Sequence, residues 1–176
     1  PTPRLELISL TTERLVLRPM MMSDCEAFLP ALSDPDNMKY WSRGPITSID
    51  EVRNYLAWDI IGDGVECFVF VLASAPDDPL GWVVLMDRKN NCAETGYMLR
   101  PDRQGHGYAR EAVAAVVEHG FGTRGLRRIY ADTDPENAGS VRLLESLGFE
   151  LEGHLRASWE THIGVRDSLI YGRVKA

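Results

Sequence analysis

Glu94-Thr95-Gly96-Tyr97-Met98-Leu99-Arg100-Pro101-Asp102-Arg103-Gln104-Gly105-His106-Gly107-Tyr108-Ala109 reads as a strand, a tight glycine-rich loop and the opening of a helix. Tyr97, Met98 and Leu99 suit a strand, and Pro101 ends it because proline lacks the N–H that a sheet ladder needs. Gly105 and Gly107 can take positive φ and let backbone N–H groups approach a ligand with no Cβ in the way. Ala109, Ala112, Val113, Val116 and Val117 then recur at helical spacing. The unpaired N–H groups and positive dipole end of that helix face the loop, a geometry that suits a phosphate.

Residue identity separates the phosphate loops that such a run can make. A P-loop needs Gly-Lys-Ser or Gly-Lys-Thr, and Gly107 is followed by Tyr108 and Ala109. A dinucleotide fingerprint starting at Gly105 puts Arg110 at its third small position, where close helix–strand packing leaves no room. The loop also lies too far along the chain for two mononucleotide-binding halves. The pattern Q/R-x-x-G-x-G/A is matched by Gln104, Gly107 and Ala109, and here the sequence resembles the GNAT superfamily of acetyl-CoA-dependent N-acetyltransferases. Asn137 to Phe149, N-A-G-S-V-R-L-L-E-S-L-G-F, resembles that family's N-x-x-[AS]…G-F segment, and Thr12 to Pro19 looks like the opening strand of its Rim-type branch, which includes the ribosomal-protein N-terminal acetyltransferases.

Composition bounds the rest. With 176 residues, 44% of them hydrophobic, the chain supports one well-buried core, so a single domain over 1–176 is expected. A net charge of -7 argues against general nucleic-acid or membrane-surface binding. An anionic cofactor needs local positive charge, for which Arg100, Arg103 and Arg110 are candidates; each reads equally well as a solvated surface arginine. Cys25, Cys67 and Cys92 show neither disulfide nor zinc spacing, and Pro1 to Leu10 contains no apolar leader, so a cytoplasmic location is expected. His106 and His119 stand at metal-ligand spacing with no second His or Cys, and no metal is expected.

Further elements follow in order. Arg14 to Met20 reads as a strand and feeds a helix capped by Ser23 or Asp24, with Phe28, Leu29 and Leu32 as its apolar stripe. A short helix is expected to carry Met38, Tyr40 and Trp41. Ser48 and Glu51 form a capping-box pattern for the next helix. Phe68 to Ala73 and Gly81 to Asp87 read as a hairpin around a turn at Pro76 to Pro79. Arg128 to Asp132 is a strand, Asn137 to Leu147 a helix, and Phe149 to His154 pairs with Leu169 to Val174 across a loop rich in ionisable and aromatic residues. This is an α/β (α+β) order with antiparallel and parallel neighbours. The resemblance implies a single-domain GNAT-like fold, a mixed, mostly antiparallel sheet splayed open in the middle and flanked by helices. It also implies that acetyl-CoA, as co-substrate, enters between the glycine-loop strand and the Arg128 strand, bonded by backbone groups of Met98, Leu99 and Arg100. Arg103, Gln104, Gly105, His106, Gly107, Tyr108, Ala109 and Asn137 complete the expected cofactor contacts. Many such relatives form homodimers, though no stretch here forces pairing.

Acetyl transfer to nitrogen needs a neutral amine, stabilisation of charge on the carbonyl oxygen and a proton for the departing thiolate. Presenting a lysine-type amine neutral at pH 7 costs roughly 4.6 kcal/mol, and a protein α-amine about 1 kcal/mol. Glu94 is the candidate base, because period-two geometry puts it on the face of Gly96 and Met98, within reach through a water; the bland alternative is a solvated strand end. Many relatives use a tyrosine seven residues after the asparagine to protonate the thiolate, but Leu144 stands there. Ser140, one turn beyond Asn137, is the remaining candidate, unless it only bonds its own backbone. Trp41, Tyr40, Trp159 and Met38 line an acceptor pocket or pack in the core. The acceptor is a protein N-terminus or a small amine, with cationic acceptors favoured by the acidic balance. The competing class, motivated by Leu144, is a non-catalytic acyl-CoA binder or sensor.

Overall fold

The computed structural model describes residues 8–176, so most of the Pro1 to Leu10 reading lies outside the described residues. The elements in chain order are β1 (Leu10–Thr11), β2 (Leu15–Pro19), α1 (Cys25–Ser33), α2 (Ile49–Ile61), β3 (Val65–Leu72), β4 (Ala75–Arg88), β5 (Cys92–Leu99), α3 (Tyr108–Phe121), β6 (Arg128–Thr133), α4 (Ala138–Ser146), β7 (Glu150–Thr161) and β8 (Gly164–Val174). They form one eight-stranded sheet in the order β1-β2-β3-β4-β5-β6-β8-β7. Every neighbouring pair is antiparallel except β5 with β6.

That exception opens the sheet. β5 and β6 pair only through Cys92↔Arg128, Ala93↔Ile129 and Glu94↔Tyr130, after which both strands continue without each other. From there β6 keeps its partnership with β8 as far as Thr133↔Leu169. The expected wedge is thus present, and it begins immediately after Glu94.

Alternation along β3 shows why the sheet buries both faces. Phe68 and Phe70 join Leu15, Leu17, Val83, Leu85 and the apolar stripe of α3, whereas Cys67, Val69 and Val71 face Phe28, Leu32, Val52, Leu56 and Trp82 on the α1/α2 side. Each fully buried side chain of this size contributes about 1.5–3 kcal/mol. α2 starts as expected, with Ser48 Oγ accepting the Glu51 N–H at 3.2 Å.

Four local expectations need correction. Residues 35–43 form successive turns rather than a helix, held by bonds such as Met38 N to Asp34 O and Trp41 N to Met38 O. Asp24 does not cap α1; its carboxylate takes the Met21 N–H and pairs with Arg18. The β3–β4 turn sits at Ala73-Ser74, and Pro76 to Asp78 bulge out of β4 between the pairs Leu72↔Ala75 and Val71↔Pro79, as proline's missing N–H favours. Finally, the supposed loop after His154 is strand: β7 and β8 run on to a tight turn at His162-Ile163, with a bulge where Ala157 takes φ 49°. Asp167 holds that bulge by accepting the Ala157 N–H at 2.8 Å and bonding His154 Nε2 at 2.7 Å.

Candidate active site

A cavity of about 1080 Å³ runs through the splay from the glycine loop to the space between β6, β8 and the α1/α2 side. At the loop end, Gly105 and Gly107 hold φ of 87° and 77°, conformations that side-chain-bearing residues rarely adopt. Among the described residues nothing stands within 4 Å of where a Gly105 Cβ would be, so the cradle is open. Gly107 caps α3 without a side-chain bond, and the first intrahelical bond runs from Glu111 N to Gly107 O. The N–H groups of Tyr108, Ala109 and Arg110 precede it and point out of the helix, the arrangement that suits phosphate oxygens.

Arg14 fixes this loop, a role that sequence reading missed. It donates to the His106 carbonyl at 2.9 Å, pairs with Glu111 at 2.7 Å and lies over the Tyr108 ring. A contact across so many intervening residues has no local sequence signal.

The structure brings Glu94, Met98, Leu99, Gln104, Gly105, Gly107, Tyr108, Ala109, Asn137 and Ser140 to the cavity. It does not bring the side chains of Arg100, Arg103 or His106. Both arginines turn to Asp78 on the β4 bulge and to Asp102, so their charge is already matched. Arg110 remains, bonded among the described residues only to Ser146 Oγ and O and lining the cavity, so local positive charge comes from it and from the helix terminus. His106 stacks on Tyr108 outside the cavity wall. The Arg100 N–H is taken by Leu80 O at 2.8 Å, which corrects its expected backbone role toward a ligand. By the alternation of an antiparallel ladder, Tyr97 and Leu99 are the residues whose backbone groups face the open edge, and those of Met98 face Trp82 on β4, which corrects its expected backbone role as well.

Leu144 is fully buried in the core and takes no part in the cavity. A tyrosine reaches the same region from β5 instead: Tyr97 Oη lies 2.6 Å from Ser140 Oγ, hydrogen-bonded to it, and both line the cavity. Burial pushes the Tyr97 phenol up to about 12, so it remains protonated throughout the neutral range. Asn137 caps α4, its Oδ1 accepting the Ser140 N–H at 3.2 Å.

On the opposite sheet face, Glu94 pairs with Arg88 at 2.7 Å and accepts a bond from Tyr130 Oη at 3.3 Å. Trp41 stands edge-on to Trp82 and Tyr55, with ring centroids 6.0 and 6.4 Å apart, and these rings with Trp58 wall a chamber. Asp34, Asp36 and Asp59 line it, and none pairs with a cation among the described residues. Tyr40 and Trp159 also line the cavity, whereas Met38 is core. His119 lies elsewhere, buried against Glu66 and the Phe68 ring.

The split sheet thus joins an open glycine cradle at the start of α3 to an acid-lined aromatic chamber. Residues 14–150 match the acetyltransferase (GNAT) domain model, and the chain belongs to that family of N-acetyltransferases. It is 35% identical to the uncharacterized N-acetyltransferase p20 of Bacillus licheniformis, over 84% of this chain and 85% of that one. It is 32% identical to a spermidine N(1)-acetyltransferase of Vibrio cholerae, over 81% and 82% of the two chains. A crystal structure of spermidine N-acetyltransferase from Vibrio cholerae in complex with CoA and spermine superposes with a TM-score of 0.81 at 25% identity, covering 93% of this chain and 97% of that one. The ribosomal L7/L12 acetyltransferase RimL, solved with CoA, superposes at 0.82 over 95% and 98% of the chains but is 20% identical, a likeness of fold alone. The Rim-type resemblance therefore narrows to the superfamily, which spermidine acetyltransferases share.

Proposed function

We propose that this chain transfers the acetyl group of acetyl-CoA directly to a primary amine on a small cationic molecule. The observation that carries the choice of acceptor is the chamber of Trp41, Tyr55, Trp58 and Trp82 with the unpaired Asp34, Asp36 and Asp59. Carboxylates without a protein cation attract an ammonium, and aromatic faces add cation–π attraction of about 0.5–2 kcal/mol each. The spermidine acetyltransferase likeness supports the same reading, while the protein N-terminus retains only a likeness of fold.

Acetyl-CoA supplies an activated thioester; the open Gly105–Gly107 cradle and the free N–H groups of α3 fit its phosphates. Tyr97 and Leu99 present backbone groups to its arm along the unpaired edge of β5. Glu94 accepts the amine's proton through a water, and Arg88 and Tyr130 hold its carboxylate in place. The Tyr97–Ser140 pair donates a hydrogen bond to the sulfur as the C–S bond breaks. Full proton transfer from a phenol near 12 to a thiolate of ordinary pKa near 8.5 runs uphill by roughly 5 kcal/mol, so the pair stabilises the leaving thiolate and water supplies its final proton. None of the three cysteines lines the cavity, and burial pushes the Cys25 and Cys67 thiols up, which favours direct attack over an acyl-enzyme. The non-catalytic alternative rested on Leu144, and Tyr97 removes that ground.

Thiol release from acetyl-CoA, measured in parallel with spermidine, an aminoglycoside and an N-terminal ribosomal-protein peptide, tests the reading. Release with the polycations and little with the peptide is expected. Release with the peptide alone would return the acceptor to a protein N-terminus.

A further inference from the structure

The acetyltransferase reading leaves open where the reacting amine is seated, and the charges along the split sheet distinguish one place. Glu94 is paired with Arg88 and Asp134 with Arg166, while both oxygens of Asp167 are engaged in holding the β7 bulge, one with His154 Nε2 and one with the Ala157 N–H. Asp132 differs: its partner is the neutral indole of Trp159, whose Nε1 donates to Oδ2 at 3.0 Å. It is the next residue after Tyr130 on the same face of β6, directly beyond the point where β5 and β6 part.

A second observation converges there. Ser168 is 1% exposed, lines the cavity, and its Oγ has no hydrogen-bond partner among the described residues. A buried hydroxyl left unpaired costs free energy and calls for an explanation, a ligand among them. Register puts Asp132 opposite Ile170, so Ser168, two residues away on β8, shares its face as a diagonal neighbour at roughly 7–8 Å between Cα atoms. One small polar group spans that separation.

We propose that Asp132 and Ser168 dock the acceptor's primary ammonium, building on the transferase reading above. The carboxylate accepts one charge-assisted N–H bond and the hydroxyl accepts a second, while Trp159 fixes the carboxylate. A third N–H remains for the water leading to Glu94, so that deprotonation and attack on the carbonyl carbon proceed from the seated nitrogen. An N-methylated amine gives up one of these bonds, so the pair selects primary amines. The seat binds and orients: one proton passes through the water to Glu94 before attack, the acetylated nitrogen gives its second proton to solvent, and the sulfur leaves at Tyr97–Ser140 as a thiolate that takes its proton from water.

The test combines calorimetry of spermidine binding to CoA-saturated protein with steady-state kinetics, for the wild type, Asp132→Asn and Ser168→Ala. CoA affinity is expected to stay within about twofold in both variants. Spermidine binding and acceptor KM should weaken roughly 10–100-fold in Asp132→Asn and about threefold in Ser168→Ala, with kcat changing less than KM. Preference for n-butylamine over N-methylbutylamine should fall in Ser168→Ala. Equal spermidine affinity in the wild type and Asp132→Asn overturns the seat, as does a loss confined to kcat. Asp132-dependent binding with no thiol release from acetyl-CoA by the wild type would defeat the transferase reading and leave the seat standing.

Discussion

On the reading proposed above, the cofactor half of the cavity is Met98, Leu99, Gln104, Gly105, Gly107 and Ala109 from one continuous run, whereas the acceptor half gathers Trp41, Asp59, Trp82, Asp132 and Trp159 from separate turns, helices and strands. The first half offers backbone groups, two of them at Gly105 and Gly107 in conformations that glycine alone takes freely. The second binds with side chains whose meaning depends on what faces them. A backbone site is therefore written locally in sequence, and a side-chain chamber is written only in the fold.

The largest effect expected from that difference is at Gly107. Its φ of 77° is strained for a β-branched residue by about 1–2 kcal/mol, while only Arg14 stands near the added Cβ. Gly107→Val should therefore fold, yet lose acetyl-CoA affinity by about 100-fold or more in calorimetry because the cradle is displaced. Retained affinity in a folded variant would break the assignment of the cofactor half to backbone groups.

Legibility followed the same division. The strand–loop–helix from Glu94 to Ala109 and the helix that begins at Asn137 were readable because glycine, proline and asparagine act on their own neighbours. Arg100 and Arg103 misled because their aspartate, Asp78, reaches them through a bulge that the prolines of β4 disguised as a turn. Tyr97 was read as a strand residue, and its part in the site appears only when α4 brings Ser140 to its hydroxyl. The β7–β8 extension was hidden by its exposure: β7 is nearly all solvent-facing and lacks the apolar alternation that marks a strand.

A middle-sized effect is expected at Glu94, where the two halves meet. Glu94→Gln keeps the size and removes the proton acceptor, so kcat should fall about 10- to 100-fold at pH 7. The deficit should shrink as pH approaches the amine's own pKa, because the acceptor then arrives neutral without help. An unchanged pH–rate profile in the variant would remove Glu94 from the proton path and leave it as Arg88's structural partner.

The smallest effect separates binding from stability in the acceptor half. Burial raises the Asp59 carboxyl from 3.8 to about 6, and no cation opposes it among the described residues. Between those values the native state holds the proton more tightly than the unfolded chain, so stability declines as pH rises through the window. Above about 6 the native protein carries a partly buried charge at a cost of about 1–3 kcal/mol. Asp59→Asn removes that cost and should raise the melting temperature at pH 7 by roughly 2–8 °C, with the gain vanishing near pH 4 where both side chains are neutral. The same change should weaken spermidine binding several-fold, and spermidine should stabilise the wild type more than the variant, since a bound ammonium matches the carboxylate that the protein leaves unmatched. A variant that is less stable at pH 7 would mean that Asp59 serves the fold, and a gain that persists at pH 4 would mean that its charge is not what costs stability; either result overturns a carboxylate left unmatched for a ligand.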